Sequence, residues 1–174
     1  MKRLSAVVAA LLLSALAQSA NAGLLNSDVK GEYLFPTIDT EYQDLGRGVV
    51  DADGVQMRFD SYFTMNVTDR QIAIDFASAA LWSPAPYNGF SLTNFTTAMP
   101  QFTVGAATNM VGFGASNVSV VDNVLYVNWQ GLAFNANTLV VLEVDEPSDV
   151  PEPLSLSLLG LGLAGLAASR RLGK

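Results

Sequence analysis

The 174 residues contain neither cysteine nor histidine. That double absence excludes Cys₄, Cys₂His₂ and His₃ metal sites. It also excludes thiol nucleophiles and every Ser-His-Asp arrangement. With no disulfide available, stability has to come from a packed core. Basic residues are scarce in the body of the chain. Between residues 23 and 149 only Lys30, Arg47, Arg58 and Arg70 are basic, against fifteen acidic residues. A body of that sign repels phosphate backbones and anionic lipid surfaces, so no nucleic-acid partner is expected. Charge of either sign is missing altogether from Phe76 to Val121. That stretch is rich in Asn, Thr, Ser and Gly, yet it holds Phe76, Leu81, Trp82, Tyr87, Phe90, Phe95, Phe102 and Phe113. A disordered linker does not carry so many large apolar groups. It reads as folded β structure with polar, uncharged outer faces.

What is present is most distinctive at the two ends. The first residues are Lys2 and Arg3, followed by an apolar run from Leu4 to about Leu16 and then Ala20, Asn21, Ala22 and Gly23. These are the three regions of a secretory signal peptide, so residues 1–22 are expected to be removed by signal peptidase after Ala22. The C-terminal run "VPEPLSLSLLGLGLAGLAASRRLGK" is apolar from Leu154 to Ala168 except for Ser155 and Ser157. As a helix it rises about 22–25 Å, against a bilayer core of about 30 Å. Flanking residues and snorkelling arginines extend that reach. The run has no polar stripe to face water, as a packed surface helix would. Arg170, Arg171 and Lys174 follow it, and basic residues beside a membrane segment favour the cytoplasmic side. A membrane helix is therefore expected in residues 150–174, with the body on the outer side.

Pro151, Glu152 and Pro153, then the apolar run, then Arg170 and Arg171, resemble a PEP-CTERM sorting signal. The resemblance covers residues 150–174 and leaves the fold and activity of the body open. It implies that an exosortase-like membrane protease recognises the tail and cuts near Pro-Glu-Pro. It also implies a cell-surface or extracellular destination, in bacteria that make extracellular polysaccharide and biofilm. The parts have physical reasons. Pro151 and Pro153 forbid a regular helix and favour an extended backbone, a form that a processing enzyme can grip.

Inside the body, the period of the apolar residues is two. Val55, Met57 and Phe59 alternate, then Phe63 and Met65, with a slip near Asp60-Ser61 that marks a bulge or turn. Ile72, Ile74 and Phe76 share a face, as do Phe90 and Leu92, with Asn94 in phase. Val118 and Val120 precede a turn at Asp122-Asn123, and Leu125, Val127 and Trp129 follow it. Residues 138–144 read as a last core strand. Residues 76–82, "FASAALW", suggest a short helical turn before Pro84. Many short strands separated by Gly, Asn and Pro predict an all-β domain over residues 23–149: an antiparallel two-sheet sandwich or jelly-roll-like fold.

Two stretches suggest sites. Asp51 and Asp53 in "DADG" alternate as oxygen ligands for calcium do, with Asp60 as an outlying candidate, although an Asx turn before a strand accounts for the same residues. Trp82, Tyr87 and Asn88 in "LWSPAPYNGF", with Trp129 in "VNWQGLAF", are the types that stack on sugar rings and read their hydroxyls. The competing reading puts those aromatics in the core. Paired carboxylates for glycoside hydrolysis stand about 5–10 Å apart. Asp69 with Asp75, or Asp51 with Asp60, are the candidates, and no catalytic residue is identifiable. The expectation is an exported structural or adhesive protein of the envelope or extracellular matrix. Its alternatives are a carbohydrate-binding module in exopolysaccharide and a polysaccharide-acting enzyme.

Overall fold

The computed structural model describes residues 23–145. Gly23 and Leu24 are already buried, and the Leu24 N–H donates to the Asp69 carbonyl at 2.8 Å. The chain then forms β1 (Asp28–Leu34) and β2 (Glu41–Val49), an antiparallel hairpin with two register shifts. Residues 50–54 carry it across to a meander of β3 (Val55–Phe59), β4 (Phe63–Val67) and β5 (Gln71–Phe76). After a two-residue strand, β6 (Ala80–Leu81), come β7 (Gly89–Asn94), β8 (Phe102–Val104), β9 (Val118–Val121), β10 (Val124–Asn128), β11 (Ala133–Phe134) and β12 (Leu139–Val144). One five-stranded sheet runs β2-β1-β7-β10-β9 and the other β3-β4-β5-β12-β8, with β6 and β11 as a separate ribbon. All pairings are antiparallel. The fold is thus the two-sheet sandwich expected from the period-two pattern.

The core lies between the sheets. Val29, Tyr33, Phe90, Leu92, Leu125 and Val127 enter it from one sheet, and Met57, Phe63, Met65, Ile72, Ile74 and Leu142 from the other. Trp129, just past β10, is fully buried. The slip near Asp60 is the β3–β4 turn, where Phe59 pairs with Phe63 and the Tyr62 N–H donates to the Phe59 carbonyl. The turn expected at Asp122-Asn123 joins β9 to β10, and both residues have positive φ, 47° and 71°. That pair of angles belongs to the turn type whose twist matches a hairpin.

Two expectations for the middle of the chain change. "FASAALW" forms no helical turn. Ala80 and Leu81 are β6 and pair with β11, because Pro84 and Pro86 deny a helix its continuation and residues 131–134 offer the backbone partners. The uncharged stretch is only partly strand. Its Asn and Thr side chains, together with Asn123 just beyond it, hold loops in place. Asn94 Oδ1 accepts from the Thr96 and Thr97 N–H groups, and Asn123 Nδ2 donates to the Asn94 and Thr97 carbonyls. Thr108 Oγ1 bonds both backbone groups of Val141, extending the edge that the short β8 begins. The expected signal peptide, residues 1–22, and the tail, residues 150–174, lie outside the described residues. Among the described residues, no helix is long and apolar enough to cross a membrane.

Candidate binding cleft

Tyr33, near the end of β1, is the hub of an aromatic cluster. Its ring stacks on Phe59 at 3.9 Å between centroids with the planes 9° apart. It lies 5.5 Å from Trp82 and 6.4 Å from Trp129. Trp82 stacks in turn on Trp129 at 5.6 Å and on Phe134 at 4.7 Å. Each such pair contributes about 0.5–1.5 kcal/mol beyond simple burial. The Tyr33 hydroxyl donates to Asn88 Oδ1 at 2.6 Å and accepts from Trp129 Nε1 at 3.0 Å. Asn88 Nδ2 donates to the Ser83 carbonyl. Burial pushes the Tyr33 phenol far above its ordinary pKa, so it stays neutral and keeps both roles.

Above these rings the surface opens into a cleft of about 180 Å³. Tyr33, Phe59 and Trp82 line it together with Phe35, Tyr42 and Tyr62. Tyr42 on β2 is 62% exposed and Tyr62, in the β3–β4 turn, 37%. Tyr42 meets Tyr33, Phe35 and Phe59 edge-on, and Tyr62 stacks on Phe59. Leu81, on the exposed ribbon, completes the mouth. None of the lining residues is charged. The cleft therefore sits where the β1–β2 hairpin, the β3–β4 turn and the β6–β11 ribbon converge. Backbone bonds between Trp82 and residues 131 and 132 fix that ribbon.

One polar atom here has no partner among the described residues. The Nε1–H of Trp82 is buried and unpaired, although buried donors are nearly always satisfied.

The sequence-predicted sugar contacts divide. Trp82 and Asn88 do line the cleft. Tyr87 and Trp129 are buried in the sandwich, and Trp82 itself is only 6% exposed, so these three aromatics do not form an exposed stacking platform. The reason is local. The Tyr87 hydroxyl bonds the Phe90 and Val127 carbonyls, and Trp129 fills the space between the sheets. The exposed rings are instead Tyr42 and Tyr62, which sequence reasoning passed over. Neither stands in an obvious motif, and only strand register brings them together. Asp51 Oδ1 accepts the Asp53 N–H at 2.9 Å, an Asx turn that leads through Gly54, at φ +83°, into β3. Among the described residues, no group of three or more His, Cys, Asp or Glu is placed to hold a metal ion. Asp51 and Asp60 flank opposite ends of β3. Asp69 precedes β5, and the strand rise puts Asp75 about 13 Å beyond Gln71. None of these four carboxylates lines the aromatic cleft.

By architecture, then, this is an all-antiparallel β-sandwich with an uncharged aromatic cleft at one end. Residues 149–171 match the PEP-CTERM protein-sorting motif, so the chain carries that sorting signal, as Pro151, Glu152, Pro153, Arg170 and Arg171 led one to expect. The motif implies an exosortase-type sorting enzyme as partner, and it supports export with a cell-surface or extracellular destination. No curated protein and no solved structure matches the chain.

Proposed function

We propose that this protein is a non-catalytic structural or adhesive β-sandwich of the cell surface or extracellular matrix, delivered there through its C-terminal tail. The carrying observation is the sorting motif at residues 149–171, which begins shortly after the last strand of the sandwich ends at Val144. In this reading signal peptidase cuts after Ala22, at the end of the Ala20-Asn21-Ala22 pattern. Residues 154–168 then hold the tail in the inner membrane while an exosortase-like protease cuts near Pro151–Pro153, releasing the body into the polysaccharide-rich surroundings. The acidic body keeps the released protein soluble and away from nucleic acid.

The test is fractionation of the native host carrying either the wild-type chain or one with Pro151→Ala and Pro153→Ala together. The wild type is expected on the cell surface or in the medium. The double variant is expected to be retained in the inner-membrane fraction, longer than the wild type. Identical distribution and length of the two forms would remove the basis of the reading.

A further inference from the structure

We infer that the cleft between Tyr42 and Tyr62 is a binding site for one neutral pyranose unit of a glycan. This goes beyond the surface role just proposed and rests on it only for the source of the sugar. Four observations converge. A cavity of about 150 Å³ takes one benzene, so the 180 Å³ here suits one six-membered ring. The walls are aromatic faces and edges, and two of the rings, Tyr42 and Tyr62, are exposed, as stacking on the apolar face of a sugar requires. The Trp82 Nε1–H is a buried donor without an acceptor, and a sugar hydroxyl supplies one, whereas an acyl chain does not. The lining carries no charge and the surrounding body is acidic, which disfavours uronate or phosphate-bearing polymers. That donor is buried, so its pairing requires a side-chain shift, and Leu81 at the mouth is largely exposed. Side-chain changes of that size are common on binding.

The experiment uses the protein isolated from its native host. Neutral hexasaccharides of glucose, galactose, mannose and N-acetylglucosamine are titrated in while the indole N–H resonances are followed by NMR. The chain has two tryptophans, and the Trp82→Phe variant assigns them. Saturable binding of at least one sugar is expected, with the Trp82 Nε1–H resonance moving more than that of Trp129, which already donates to Tyr33. Tyr42→Ala and Tyr62→Ala are each expected to weaken binding about fivefold. Tyr42 is exposed enough that its truncation leaves the fold intact, and an unchanged thermal midpoint verifies that. The proposal is overturned by absence of binding to all four sugars, by binding that neither variant weakens, or by binding that leaves the Trp82 resonance in place. It is equally overturned if an apolar peptide occupies the cleft and the sugars do not. Failure of this site leaves the processing of the tail untouched, and the fractionation result stands apart from it.

Discussion

Tyr33 combines ring packing and buried hydrogen bonding in one side chain. Its ring joins the two sheets through Phe59 and Phe63, and its hydroxyl satisfies both Asn88 and Trp129. Tyr33→Phe keeps the ring but strands an acceptor and an indole donor. Leaving a buried group unpaired costs about 1–3 kcal/mol, so a loss of about 2 kcal/mol is expected in urea denaturation. The same residue sets an alkaline limit. Burial raises the phenol pKa of both Tyr33 and Tyr87 above the ordinary value. The native state then keeps protons that the unfolded chain releases above about pH 10. Stability contributed by these groups is complete below that pH and falls as pH rises beyond it. Urea midpoints between about pH 8 and 11 are expected to drop, and less steeply in Tyr33→Phe. An equally steep drop in the variant would show that this phenol is not a source of the effect.

Strands and their turns show which signals a sequence carries and which it does not. β3, β4, β5 and β10 were legible because each buries alternate residues, as in the burial of Ile72, Ile74 and Phe76 along β5, while β9 showed as alternating valines and β12 as a continuous apolar run. β2 was not, because it is an edge strand with Leu45 as its one buried residue, and bulges interrupt its pairing. Charged, irregular edges of that kind blunt pairing with other chains, and they erase the pattern that would reveal them. The turn at Asp122-Asn123 was legible as a turn, but its second duty was not. Asn123 Oδ1 accepts the Met99 N–H at 2.5 Å, and its Nδ2 holds two carbonyls of the β7–β8 loop. Asn123→Gly suits the positive φ even better, so turn geometry alone forecasts no loss. Because the loop contacts vanish, a loss of about 1–2 kcal/mol is expected, with faster amide exchange at Met99. Gly89 makes a comparable point about close approach. A Cβ there would lie 1.8 Å from the Val127 carbonyl oxygen. Gly89→Ala is expected to cost about 3 kcal/mol and to weaken the β7–β10 pairing, seen as reduced exchange protection on both strands.

At the scale of the whole molecule, the two halves of the protein's design were unequally readable. The sorting tail is a linear code: Pro-Glu-Pro, apolar run and basic tip can be recognised without a fold. The cleft is not linear. Its rings come from residues 33 to 82 on five separate segments. The sequence gathers Trp82, Tyr87, Asn88 and Trp129 as candidates, and the sandwich divides them between cleft and core. Composition marks aromatic residues but does not say which of them the two sheets will enclose.

The central claim, that the tail at residues 149–171 directs processing and surface delivery, is tested most directly by intact-mass spectrometry of the protein recovered outside its native host cells. The expected species begins at Gly23 and ends close to Pro151. A secreted species that still ends at Lys174 would contradict the claim.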